Sequence, residues 1–260
     1  MRDQDLRISI ADLHSGKTLA ASAMPLRASE VHVWEIPLLA SESSFSDYRN
    51  LLSPDESARA ARFHFEKDSR RFTIARASLR LILGRYAEIP PAALRFVCSE
   101  HGKPSLTDVD LDIRFNLSHS GQFAMIAVTR GQNVGVDVEA VREDVETDKL
   151  AERFFSARER AAIRALSPEE RVAAFYRCWT CKEAFLKGQG IGLFRSLGSF
   201  DVEVRPRVSA RLLSTRPDSK ESSRWFLHEI PTAPGYAAAI AIEGSVSAIT
   251  LLRSTATPAN

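Results

Sequence analysis

Two observations predict an α+β fold. Segments with helical spacing and segments with strand alternation occur in both halves of the chain, in the order strand, helices, strands, then helices and strands. The 260 residues are 44% hydrophobic, enough to bury a substantial core as one large domain or as two packed subdomains. An Arg-Phe pair opens a helical segment in each half, Arg62-Phe63 and Arg153-Phe154, a faint internal echo.

Residues 1 to 28 are rich in Ala, Ser and charge with no sustained period, which predicts a disordered extension. Asp3, Asp5, Arg7, Asp12 and Lys17 interrupt it before any signal-like core forms, so neither export nor membrane insertion is expected. Order begins with the strand VHVWEIPL, Val31 to Leu38. In SPDESARAARFHFEKDSRRFTIARASLRLILGRYA, a cap-like Ser53-Pro54 precedes helical spacing of Phe63, Phe72, Leu79 and Leu83, predicting two helices that break near Lys67 or Asp68. Pro90-Pro91 ends that region, and LRFVCSEHGKPSL follows as a strand running into a Gly-Lys-Pro turn. FNLSHSGQFAMIAVTRGQNVGVDVEAV holds two β-rich runs separated by Gly131-Gln132-Asn133, the signature of a hairpin. From Lys149 to Lys187 the spacing is helical again, with a new helix starting at Pro168 and ending at Gly188 and Gly190. SFDVEVR, RWFLHEI and YAAAIAI read as strands, the last closing a sheet, and STATPAN has the composition of a flexible tail.

Lysine plus arginine number 35 against 33 acidic residues, a formal charge of +2 with no long basic block, which argues against a nucleic-acid tail. No apolar run approaches the roughly 18 residues of a membrane span. Three cysteines are an odd number for a disulfide framework, so a reducing compartment, the cytoplasm, is expected.

Four short stretches carry candidate chemistry. In GVDVEAV, a strand would put Asp137 and Glu139 on one face and Val136 and Val138 on the other. Adjacent carboxylates repel, and either solvent or a divalent cation relieves them; Mg²⁺ takes all-oxygen sites of this type together with phosphates. An isolated D-x-E is most often a strand end in solvent. In WTCKEAFLKGQGIGL, Glu183 and Lys187 are four apart and share a helix face, with Trp179 one turn earlier. A surface ion pair accounts for them, and so does a third carboxylate for a metal with an ammonium for a phosphate. Ser118-His119-Ser120-Gly121 is a small polar turn whose amides and hydroxyls suit a phosphate; adjacent residues on an extended chain point apart, which disfavours a nucleophile and base pair. Arg59, Arg62, Lys67, Arg70, Arg71 and Arg76 form either a solvated face or a polyanion site, and Lys103 in HGKP serves likewise. Cys178 and Cys181 form a C-x-x-C without a helix N-terminus or further ligands, which reads as core packing.

In combination, GKP, FNLSHSG, GVDVE and WTCKEAFLKGQGIGL in this order resemble the 4′-phosphopantetheinyl transferases of the surfactin-synthetase-activating type, from about Val31 through Ala241. RFF at Arg153 to Phe155 and SFDVEV at Ser199 to Val204 also fit. The resemblance implies a monomer of two similar α+β subdomains with pseudo-twofold symmetry, here 29–133 and 134–252, with a tail at 253–260 and with coenzyme A and Mg²⁺ bound between the subdomains. By the same resemblance Asp137, Glu139 and Glu183 hold the metal, Lys187 contacts the pyrophosphate, Ser118 and His119 touch phosphates, and Lys103 lies along the nucleotide. Arg59 and Arg62 lie where relatives meet the 3′-phosphate, although Glu56 stands at one position where relatives carry lysine. The implied reaction is attack by a serine of an apo acyl or peptidyl carrier protein on the β-phosphate of coenzyme A, releasing 3′,5′-ADP, with Glu183 as the candidate base. The resemblance implies a carrier of fatty acid, polyketide or nonribosomal peptide synthesis. Two other classes share the acidic set: another Mg²⁺-dependent phosphoryl transferase or nuclease, and a module that binds coenzyme A or a carrier without turnover.

Overall fold

The computed structural model describes residues 7–14, 24–192 and 195–255. In chain order its elements are β1 (Arg7–His14), β2 (Glu30–Pro37), α1 (Glu42–Leu51), α2 (Pro54–Ala60), α3 (Glu66–Ala87), β3 (Arg95–Cys98), β4 (Pro104–Thr107), β5 (Ile113–Ser120) and β6 (Phe123–Arg130). There follow β7 (Val134–Ala140), α4 (Thr147–Phe154), α5 (Ala157–Arg164), α6 (Pro168–Gln189), β8 (Phe200–Val202), β9 (Leu212–Thr215), β10 (Trp225–Glu229), β11 (Tyr236–Glu243) and β12 (Ala248–Thr255). Two compact units result: the first holds the described residues up to Val97, Pro104–Gly131 and those from Ser247 on, the second Cys98–Lys103 and Gln132–Val246.

In the first unit, the sheet order is β1-β12-β2-β6-β5. β12 runs parallel to both β1 and β2, whereas β2, β6 and β5 are antiparallel. Val31 to Ile36 of β2 are all buried, as expected of an interior strand covered on both faces. α3 supplies Ile74, Leu79, Ile82 and Leu83 to the cluster containing Trp34, Ile36, Phe115 and Ile126. Helix α2 starts at a capping box in which Ser53 N–H donates to Glu56 Oε2 (2.9 Å). The Glu56 carboxylate is 4% exposed and accepts from Arg80 Nε (2.6 Å) and from Arg76 Nε. Burial pushes its pKa up, but the bonds from Arg80, Ser53 N–H and Arg76 outweigh it and hold the group below the ordinary glutamate value.

The second unit has a three-stranded sheet, β10-β11-β7, with α6 supplying Phe175, Phe185 and Leu186 to its core. α5 repeats the device of α2. Ser156 N–H donates to Glu159 Oε2 (2.9 Å), and Glu159, 1% exposed, pairs with the fully buried Lys182 Nζ (2.8 Å). Lys182 also donates to Leu197 O and Phe200 O, each at 2.7 Å. In each unit, therefore, a short capped helix precedes a 22-residue helix whose buried cation takes the capping glutamate. Cys178 and Cys181 are 0% exposed, and burial raises both thiols, Cys181 to about 12, which fits core packing.

Several expectations are corrected. The span 1–28 contains a strand, Arg7–His14, because β12 offers it a partner; residues 1–6 and 15–23 lie outside the described set. Gly131-Gln132-Asn133 does not close a hairpin: β6 pairs with β2 and β5, and β7 with β11, so the true hairpin is β5–β6 around Gly121. The break between α2 and α3 falls at residues 61–65, not at Lys67 or Asp68. Residues 247–252 belong to the first unit rather than the second, and the predicted tail enters β12 as far as Thr255, while 256–260 lie outside the description. The last strand is thus β12, and YAAAIAI is the middle strand of its sheet. Gly188 lies inside α6, which ends at Gly190 with φ +72°. The Arg-Phe echo is not equivalent in the two units, since Arg62-Phe63 follows α2 and Arg153-Phe154 ends α4.

Candidate active site

Residues alternate in direction along β7, so Gly135, Asp137 and Glu139 share one face. That face is turned to α6. A Cβ added at Gly135 would fall on Ala184 O and Gly188 N and within 2.8 Å of Gly188 Cα, so only glycine lets the strand approach the helix this closely. A Cβ at Gly188 would in turn lie 2.6 Å from the Trp225 ring and 3.3 Å from Gly135 N. Gly135→Ala is expected to force α6 off the strand, costing about 1–3 kcal/mol as overpacking and lowering activity together with stability; a wild-type Tm in thermal unfolding would contradict this.

Two residues beyond Gly135, Asp137 is 1% exposed and its Oδ1 accepts from Lys187 Nζ at 2.5 Å. The bland reading of D-x-E as a strand end in solvent therefore fails for Asp137. Glu183, one turn before Lys187, has its pKa raised by burial first and then by the charges of Asp137 and Glu139, with Lys187 opposing. Three carboxylates and one ammonium thus share the α6–β7 crossing.

Among the described residues, no three acidic, His or Cys groups are arranged to hold a metal ion as they stand, and Lys187 donates to Asp137 Oδ1. The donor chemistry nevertheless fits a hard divalent cation: all donors are carboxylate oxygens, and their mutual repulsion at Glu183 is what such a charge relieves.

Trp179 does not share that crossing. Its ring packs on Phe154, Phe155 and Phe175, and the α6 residues that meet Gly135 are Ala184 and Gly188. Lys103, also in the second unit, donates to Val134 O (3.1 Å) and Gly188 O (2.7 Å). The remaining predicted site residues belong to the first unit. Ser118 and His119 lie in the last three residues of β5 rather than in a turn, Ser118 buried and His119 exposed. Arg59 closes α2 with its guanidinium 5.2 Å from the Phe72 ring centroid, and Arg62 is exposed in the segment between α2 and α3. Glu56, at the position where the resemblance has lysine, turns inward to Arg76 and Arg80 and is structural. Of the basic run, Arg70 pairs with Glu42 and Arg71 with Asp68.

Gly135 and Lys182 escaped the sequence reading. The capping box Ser156-x-x-Glu159 was a legible signal for one end of the Lys182 pair; nothing local marks Gly135 as a contact point.

A two-unit α+β chain with an acid and lysine crossing of strand and helix is matched by two family profiles. One, described as 4′-phosphopantetheinyl transferase superfamily, covers residues 133–241, and the other, 4′-phosphopantetheinyl transferase, N-terminal, covers 38–131. The chain is 39% identical over 223 residues to the 4′-phosphopantetheinyl transferase HetI of Nostoc sp. strain PCC 7120, covering 85% of this chain and 91% of that one. To the 4′-phosphopantetheinyl transferase Sfp of Bacillus subtilis strain 168 it is 31% identical over 195 residues, 74% of this chain and 83% of that one. The chain belongs to the 4′-phosphopantetheinyl transferase superfamily.

Proposed function

We propose that Asp137, Glu139, Glu183 and Lys187 form the centre at which this chain transfers 4′-phosphopantetheine from coenzyme A to a serine of an apo acyl or peptidyl carrier protein, with release of 3′,5′-ADP. The observation that carries the reading is the buried Asp137 with Lys187 Nζ 2.5 Å away, beside a Glu183 whose pKa is raised by burial and then by its acidic neighbours. Asp137, Glu139 and Glu183 would hold Mg²⁺, which when bound supplies positive charge to the pyrophosphate. Lys187 would hold a pyrophosphate oxygen by a charge-assisted bond. Glu183 would accept the proton of the carrier serine, directly or through one water. Arg59, Arg62, Ser118 and His119 are proposed contacts of the coenzyme A phosphates. Little covalent chemistry falls to the protein, so position and charge do most of the catalysis. The chain is proposed to be a cytoplasmic monomer; among the described residues no helix is long and apolar enough to cross a membrane.

The test is incubation of the full chain with coenzyme A and an apo carrier, with Mg²⁺ or with EDTA, read by mass spectrometry. A phosphopantetheine increment only with Mg²⁺ is expected; its absence in both arms overturns the reading, and its persistence in EDTA removes the metal from it.

A pH dependence follows from Glu183. Its raised pKa means that the folded chain keeps this proton to higher pH than the unfolded chain, so its effect on metal-free stability is most favourable below the ordinary value of 4.5 and declines as pH rises through the raised folded value. Added Mg²⁺ is therefore expected to raise Tm more above that window than below it, and Glu183→Gln to flatten the trend. Calorimetric scans across pH check this; a Mg²⁺ shift equal at every pH counts against it.

A further inference from the structure

Lys103 stands on a tight turn of the second unit. Ser99 N–H donates to Lys103 O (2.9 Å), Gly102 N–H to Ser99 O (2.9 Å) and Lys103 N–H to Ser99 Oγ (3.1 Å). Gly102 has φ +81°, a conformation that glycine adopts without strain. From this turn the lysine stem runs over Gly190, where a Cβ would come within 3.0 Å of Lys103 Cδ. Its ammonium then donates to Gly188 O at 2.7 Å and to Val134 O at 3.1 Å. Val134 opens β7 three residues before Asp137, and Gly188 directly follows Lys187. Gly188 O is among the last four carbonyls of α6, which have no helical N–H to accept from, and a cation is favoured at that end of a helix.

We propose that Lys103 is a positioning residue for the transfer. By tying the first residue of β7 to the last turn of α6, it sets the separation between the strand that carries Asp137 and Glu139 and the helix that carries Glu183 and Lys187. The inference rests on the reading of that crossing as the catalytic centre. It replaces the nucleotide contact that the family resemblance implies for Lys103 with a role exerted through the backbone. The Gly135–Gly188 approach fixes how close the two elements come, and the ammonium fixes their registration along one another. A slip of about 1 Å in such a constellation costs on the order of 100-fold in rate.

The test compares wild type with K103M, which keeps the stem and removes the donors, and with K103R, whose guanidinium can also donate to two carbonyls. In the carrier-modification assay K103M is expected to lose about 10- to 100-fold in kcat, with KM for coenzyme A within about threefold of wild type, and K103R to recover most of the loss. In metal-free protein, hydrogen exchange is expected to quicken in residues 134–139 and 184–190 of K103M and not elsewhere. Wild-type exchange in both segments overturns the tie whatever the kinetics, and so does a rise of about tenfold in KM with kcat unchanged, the signature of a direct ligand contact. Should K103M fail to fold by circular dichroism, K103Q, which has a shorter stem and no charge, decides: lowered kcat with faster exchange in those segments upholds the proposal, and wild-type exchange or raised KM alone overturns it. If the wild-type chain modifies no carrier, the transfer reading falls, while the exchange measurement still judges the tie.

Discussion

Lys182→Met is expected to destabilise the protein by about 3–5 kcal/mol, the cost of leaving one member of a buried ion pair without the other. Lys182 is fully buried and its ammonium bonds to Glu159, Leu197 O and Phe200 O, while its charge lies 4.1 Å from the centroid of the Phe200 ring. Methionine fills most of the volume but makes none of these bonds. Glu159 then keeps N–H donors from Ser156 and Val202 but loses its cation. The loss is to be read by thermal unfolding, as a Tm lower by roughly 6–20 °C for a chain of this length. Replacing both partners, Glu159→Leu with Lys182→Met, is expected to recover part of the loss, because an apolar pair leaves no charge stranded. A single variant within about 0.5 kcal/mol of wild type would show that the pair contributes nothing.

Asp137→Ala should lower kcat/KM for carrier modification by about 100- to 1000-fold, the range seen when one preorganised electrostatic group is removed from a reaction centre. Lys187→Ala should fall in the same range but differ in stability. It leaves the buried Asp137 carboxylate without the ammonium at 2.5 Å, so its metal-free Tm should drop below that of Asp137→Ala and rise again on addition of Mg²⁺. Glu183→Gln is expected to lower turnover with the fold intact by circular dichroism. If Asp137→Ala and Lys187→Ala each retained wild-type turnover, the assignment of the centre would be untenable.

The two halves of this centre were legible for a reason. A strand repeats every two residues and a helix every 3.6, so Asp137 and Glu139, or Glu183 and Lys187, announce their shared faces over five residues or fewer. What no such pattern contains is the partner. Asp137 reads locally as a strand carboxylate bound for solvent, yet Gly135 lets α6 lie over that face and the residue is buried. Trp179, though spaced to join Glu183 and Lys187, packs with Phe154 and Phe175 instead. The apparent hairpin at Gly131 misled for the same reason, since turn chemistry marks where a chain may bend and not which strand it will pair with next.

By itself, then, the sequence determined most of the periodic elements, the cap at Ser53, the core role of the C-x-x-C cysteines and the acid and lysine set that marks the family. The tertiary structure alone decided that Arg7–His14 forms a strand against a segment some 240 positions away, that Glu56 is structural, and that Lys182 and Lys103 tie elements together. The physical reason is that a side chain's period is a property of its neighbours in the chain, whereas its hydrogen-bond partner is whichever group folding brings within about 3 Å.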